Sequence, residues 1–107
     1  MDEEIKLVML YDVYGKLLTK RQQDIFEEYH LYNLSLREIA DNKQISYQAV
    51  RDSIKTSEKM LLNFEEILKL SNLKLKVKEV IKLVNKNEDL NLQKEKIKTI
   101  LEDEDDI

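Results

Sequence analysis

Apolar residues in the first part of the chain recur at spacings of three and four: Leu7, Leu10, Tyr11, Tyr14 and Leu18. That is the period of one helical face, and it predicts a helix from about residue 2 to residue 14. Ile5, Val8 and Met9 fall on other faces, so this helix is expected to be covered on several sides. A second copy of the chain is expected to supply part of the cover. The expected two-fold homodimer seam runs through Leu7, Leu10, Tyr11 and Tyr14, extended by Phe64 and Leu68. Gly15 is placed to end the helix in the left-handed conformation that glycine adopts at little cost.

Two capping boxes follow. Thr19-Lys20-Arg21-Gln22 opens a second helix that runs to about His30, with Ile25, Phe26 and Tyr29 predicted on its inner face. Ser35-Leu36-Arg37-Glu38 opens a short third helix carrying Leu36, Ile39 and Ala40. Asp41 to Gln44 is polar and makes the next turn. Ser46 caps a fourth helix, whose stripe of Val50, Ile54, Leu61, Phe64 and Leu68 continues without a breaker to about Leu70. At 1.5 Å per residue that helix is about 35 Å long.

Composition changes near Ser71. Residues 71 to 98 carry eight lysines and four acids. Leu73, Val77, Val80, Ile81 and Val84 fit a helical face, although Leu73-Lys74-Leu75-Lys76-Val77 alternates as a strand does. The length of the segment and the lack of a nearby strand partner favour helix. Asn85 to Asn91 is a polar break, and Leu92 to about Glu102 forms a last helix with Ile97, Ile100 and Leu101. The expected organisation is a domain over 1–70, a helical extension over 71–101 and a disordered acidic tail over 102–107.

Composition narrows the fold class. One glycine and no proline among 107 residues leave too few tight turns for a sandwich or barrel, so the fold is predicted to be all-α. The absence of cysteine excludes disulfides, thiol nucleophiles and cysteine-ligated zinc. A single histidine, His30, does not make a metal cage, and its place near a helix end suits a cation there. No cofactor or metal is expected. The net charge is −4, and removing the five consecutive acids Glu102 to Asp106 leaves +1. The body of the chain is therefore close to neutral, where nucleic-acid-binding domains are usually basic. An acidic start and a longest early apolar run of only Leu7 to Tyr11 predict no signal peptide, no membrane insertion and a cytoplasmic location.

The most informative stretch is Leu36 to Lys55. A helix-turn-helix requires a short helix, a tight turn and a second helix able to enter the major groove. Ala40 is the small residue where the helices cross, and Ile39, Ile45 and Val50 lock them. The candidate nucleic-acid-binding residues are Ser46, Tyr47, Gln48, Arg51 and Lys55, whose side chains suit phosphates and base edges. Asp52 faces the same way with the wrong sign. Gln44 stands where a glycine often makes the turn. The lysines at 74, 76, 78 and 82 are read first as a solvated helix face. Adjacent carboxylates such as Glu27-Glu28 and Glu65-Glu66 diverge on a helix, no glycine-rich phosphate loop occurs, and no nucleophile–base set can be assembled, so no enzyme is expected.

The stretches Tyr14 to Gln22, Leu34 to Ala40 and Ile45 to Val50, with Ile54-Lys55 and Glu58-Lys59, resemble the YlxM family of small bacterial proteins, over roughly Leu7 to Leu70. The resemblance implies an all-helical helix-turn-helix bundle similar to region four of sigma factors, with a long recognition helix and C-terminal helices. The family's genes commonly neighbour those of the signal recognition particle GTPases. The resemblance therefore implies an accessory or regulatory role in that pathway, with the GTPase or the particle RNA as partner. The family commonly has Arg where this chain has Tyr47. Two alternatives stay open: a DNA-binding transcriptional regulator, and a protein–protein interaction module.

Overall fold

The computed structural model describes residues 2–85 and 89–102. They form six α-helices: α1 (Glu3–Tyr14), α2 (Lys20–His30), α3 (Leu36–Lys43), α4 (Tyr47–Leu68), α5 (Leu70–Val84) and α6 (Leu90–Glu102), with one 3₁₀ turn over Gly15–Leu17. The chain is all-α. It divides into two compact units between Leu68 and Lys69. Of the segment expected to be a disordered tail, Glu102 closes α6, and 103–107 lie outside the described residues.

In the first unit α4 packs against α1, α2 and α3. Its inner face serves two clusters of buried residues. Leu61 joins Leu7, Leu10, Tyr14, Leu18 and Phe26 in one. Val50 and Ile54 join Ile25, Ile39 and Ala40 in the other. Burying each of these large aliphatic or aromatic side chains contributes roughly 1.5–3 kcal/mol against exposure.

Both capping boxes form as pairs of reciprocal bonds. Thr19 Oγ1 accepts from the Gln22 N–H while Gln22 Oε1 accepts from the Thr19 N–H, and Ser35 and Glu38 do the same. Each satisfies two backbone donors that a bare helix start leaves unpaired.

Three expectations are corrected. Gly15 is not left-handed: its φ is −53° and it carries the chain straight into the 3₁₀ turn. A Cβ there would lie 2.8 Å from the Tyr11 ring, which is held flat on Phe26 with centroids 4.3 Å apart. Glycine is present for that close approach. Tyr29 points outward, edge-on to His30. The fourth helix stops at Leu68, because Lys69 adopts φ 52° and breaks the ladder before α5 begins.

In the second unit α5 and α6 pack together as a helical hairpin. Asp89 Oδ1 accepts from the N–H of Asn91 at 2.7 Å and so caps α6. Gln93 Nε2 on α6 donates to the Leu83 carbonyl at 3.1 Å, across the hairpin's closed end.

Candidate nucleic-acid interface

The turn between α3 and α4 is built from backbone bonds. Gln44 takes φ 55° and ψ 45°. Its N–H donates to the Asp41 carbonyl at 3.3 Å, and the Ile45 N–H donates to the Ala40 carbonyl at 3.1 Å. This pair of bonds is the Schellman ending of a helix, which normally places glycine at the left-handed position. The hydrophobic contact that accompanies it is present, since Ile45 packs on the cluster containing Ile39 and Ala40. Ala40 is 6% exposed where α3 meets α4. A larger residue there would push the helices apart.

Ser46 Oγ accepts from the Ala49 N–H at 3.0 Å, capping α4. Val50 and Ile54 then face inward, which turns Tyr47, Gln48, Arg51 and Lys55 outward, and all four are exposed. At 100° per residue they share one strip of the first turns of α4. Arg51 and Lys55 carry no ion pair among the described residues. Gln48 Nε2 donates to Asp52 Oδ1 at 2.8 Å, so its amide is occupied and a carboxylate lies beside the strip. Ser46, also exposed, is a cap first, with its hydroxyl proton left for an outside acceptor.

The residues assigned to a dimer seam divide differently. Leu7, Leu10 and Tyr14 are buried in their own chain's cluster, closed by Leu18, Phe26 and Leu61. Tyr11 and Phe64 are half-buried against the same cluster, and Leu68 is exposed at the end of α4. One chain thus covers Leu7, Leu10 and Tyr14 by itself, and of the expected seam it leaves Tyr11, Phe64 and Leu68 with surface exposed.

Two polar arrangements were not visible in the sequence. The His30 side chain is 3% exposed, with Nδ1 2.6 Å from Glu4 Oε1 and Nε2 2.7 Å from Glu58 Oε2. The ring also rests on Phe26, with centroids 4.4 Å apart, so α1, α2 and α4 meet on this one side chain. Tyr14 donates from its hydroxyl to Glu65 at 2.5 Å in the interior. Tyr11 donates to Glu27 at 2.7 Å. Burial first, and then the hydrogen bond to Glu27, push the Tyr11 hydroxyl pKa well above its ordinary value. Among the described residues no three His, Cys, Asp or Glu side chains gather as a metal site, and no helix is long and apolar enough to cross a membrane.

A short helix, a Schellman turn and a long helix with its first turns exposed define a helix-turn-helix protein. The chain belongs to the family described as "Putative helix-turn-helix protein, YlxM / p13 like", whose model matches residues 1–103. It is 40% identical over 79 residues to a UPF0122 protein of Clostridium kluyveri, covering 74% of this chain and 71% of that one. A UPF0122 protein of Desulforamulus reducens is 42% identical over 86 residues, 79% of this chain and 74% of the relative. One from Fusobacterium nucleatum is 33% identical over 102 residues, 95% of each chain. No solved structure matches the chain.

Proposed function

We propose that the chain is a non-enzymatic nucleic-acid-binding accessory protein of the signal recognition particle pathway, reading its target with the outward strip of α4. The observation that carries the nucleic-acid part is the exposed pair of cations, Arg51 and Lys55, directly beyond a well-formed helix-turn-helix turn. Tyr47 adds a ring able to stack on an unpaired base. Ser46 and Gln48 add hydrogen-bonding groups, Gln48 after giving up its bond to Asp52. The pathway assignment rests on the resemblance to the YlxM family.

Two cations beside one carboxylate make a weak duplex binder. Each neutralised phosphate contributes about −0.9 to the slope of log affinity against log salt. Arg51 and Lys55 together therefore give a slope of about −2. The test is a pair of binding titrations, one with duplex DNA and one with signal recognition particle RNA, each across a salt series. The expected result is tighter binding to the RNA, with Arg51→Ala and Lys55→Ala each weakening it several-fold. Salt-resistant, sequence-specific duplex binding would replace this reading with transcriptional regulation. Loss of neither ligand on mutation of both cations would remove the α4 strip from the account.

A further inference from the structure

The hairpin of α5 and α6 has two unlike faces. One carries a groove lined by Glu79, Lys82, Leu83, Lys96 and Ile100. The other is apolar. On α5, Leu73, Val77, Ile81 and Val84 follow one another at spacings of four, four and three, which holds them in an arc about 80° wide. On the antiparallel α6, Leu90 and Leu101 fall on the same side of the hairpin, and the half-buried Val80 and Ile97 fill the seam between the helices. The six outer side chains are between 46% and 65% exposed. Contiguous apolar surface of this kind marks an interaction site.

Lysines frame this face. Lys78 lies along its α5 edge, and Lys94 and Lys98 lie along its α6 edge. None of the three is paired among the described residues. Glu79 and Glu95 project away from it, by the same helical geometry, and Glu102 follows Lys98 by one turn at the end of the α6 edge.

We propose that this face docks an acidic amphipathic helix of another protein. Apolar anchors at three- and four-residue spacing, beside the shallow seam of a helix pair, match a helix laid in a groove. The lysine edges specify the partner's charge: carboxylates flanking its apolar stripe. A second copy of the chain fits less well, because two-fold pairing of this face sets lysine edges against lysine edges. A lipid surface fits less well too, because α5 and α6 contain none of the aromatic residues that anchor helices at membrane interfaces.

The probe is a labelled synthetic peptide of about 20 residues, long enough to span α5, with Leu at heptad a and d positions and Glu at e and g. A twin peptide carries Lys at e and g. The full chain is titrated into each and followed by fluorescence anisotropy. The acidic peptide is expected to bind saturably, at least about tenfold tighter than its twin, and more weakly as salt rises. Val77→Asp combined with Ile81→Asp abolishes binding while circular dichroism keeps its helical signal. Lys78→Glu combined with Lys94→Glu and Lys98→Glu reverses the preference between the peptides. Failure of the acidic peptide to bind, or equal binding of the two, overturns the proposal. So does tighter binding to phosphatidylserine vesicles. A dimer by light scattering that Val77→Asp with Ile81→Asp converts to monomer also overturns it, because the face then belongs to a second copy.

Discussion

Replacing His30 tests how the first unit is held together. The ring bonds two carboxylates from different helices, and the two are unequal. Glu58 is 28% exposed and Glu4 is 58% exposed. A hydrogen bond to a charged group contributes about 1.5–3 kcal/mol when sheltered, and one to an exposed, solvent-screened carboxylate about 0.2–1 kcal/mol. His30→Ala removes both, together with the packing on Phe26, and is expected to cost about 2–4 kcal/mol. A double-mutant cycle separates the partners. His30→Ala with Glu58→Gln should show a coupling above about 1 kcal/mol, and His30→Ala with Glu4→Gln well under that. All five tyrosines lie between residues 11 and 47, so tyrosine fluorescence in a urea titration reports the first unit alone. Equal couplings for the two glutamates, or a total cost below about 1 kcal/mol, would refute the reasoning.

Gln44→Gly should stabilise the first unit by about 0.5–1 kcal/mol, since a side chain in the left-handed region costs about 1–2 kcal/mol and the added freedom of the unfolded glycine cancels part of the gain; a lower urea midpoint than the parent's would refute this. Ala40→Glu should unfold the first unit or bring its melting temperature down sharply, because a carboxylate forced between α3 and α4 costs several kcal/mol; melting within a few degrees of the parent would reject that crossing. Glu38 accepts from the Ser35 backbone N–H, and with the Ser35 hydroxyl this holds its pKa below the ordinary 4.5. A lowered folded pKa gives stability that is present above 4.5 and is lost as the pH falls through the folded value. Glu38→Gln keeps the capping bond without the titration, so the parent should be the more stable at neutral pH and the difference should vanish in acid; a difference constant with pH would count against the charge.

Local features could be read from the sequence because they depend on neighbours a few residues away. Both capping boxes, the small residue at Ala40 and the cap at Ser46 are of this kind. Choosing helix over strand for 73–77 worked because the surrounding period was helical over a longer window. The readings that failed depended on distant partners. Nothing local shows that Leu61 closes over the inner face of α1. His30 meets Glu4 and Glu58 across separations of 26 and 28 residues, and no spacing rule connects them. Lys69 stops α4 in the left-handed region without glycine or proline, so no breaker announces it. Gly15 signalled a helix end by type, while its use is to leave room for the Tyr11 ring. The outward strip of α4 was legible as a face, but the bond from Gln48 to Asp52 was not.

α4 carries Arg51 on its outside while Val50 and Ile54 stand in one buried cluster and Leu61 in the other. It is one uninterrupted rod of 22 residues. Tilting its exposed end would draw side chains out of both clusters at once, and each vacated aliphatic site costs several kcal/mol. The strip proposed to meet nucleic acid therefore behaves as a fixed die rather than a hinged reader. On that proposal any adjustment on contact falls to the nucleic acid, whose own bending and unstacking then set which targets are tolerated. Control of such a surface works by occupying or hiding it, not by re-aiming it.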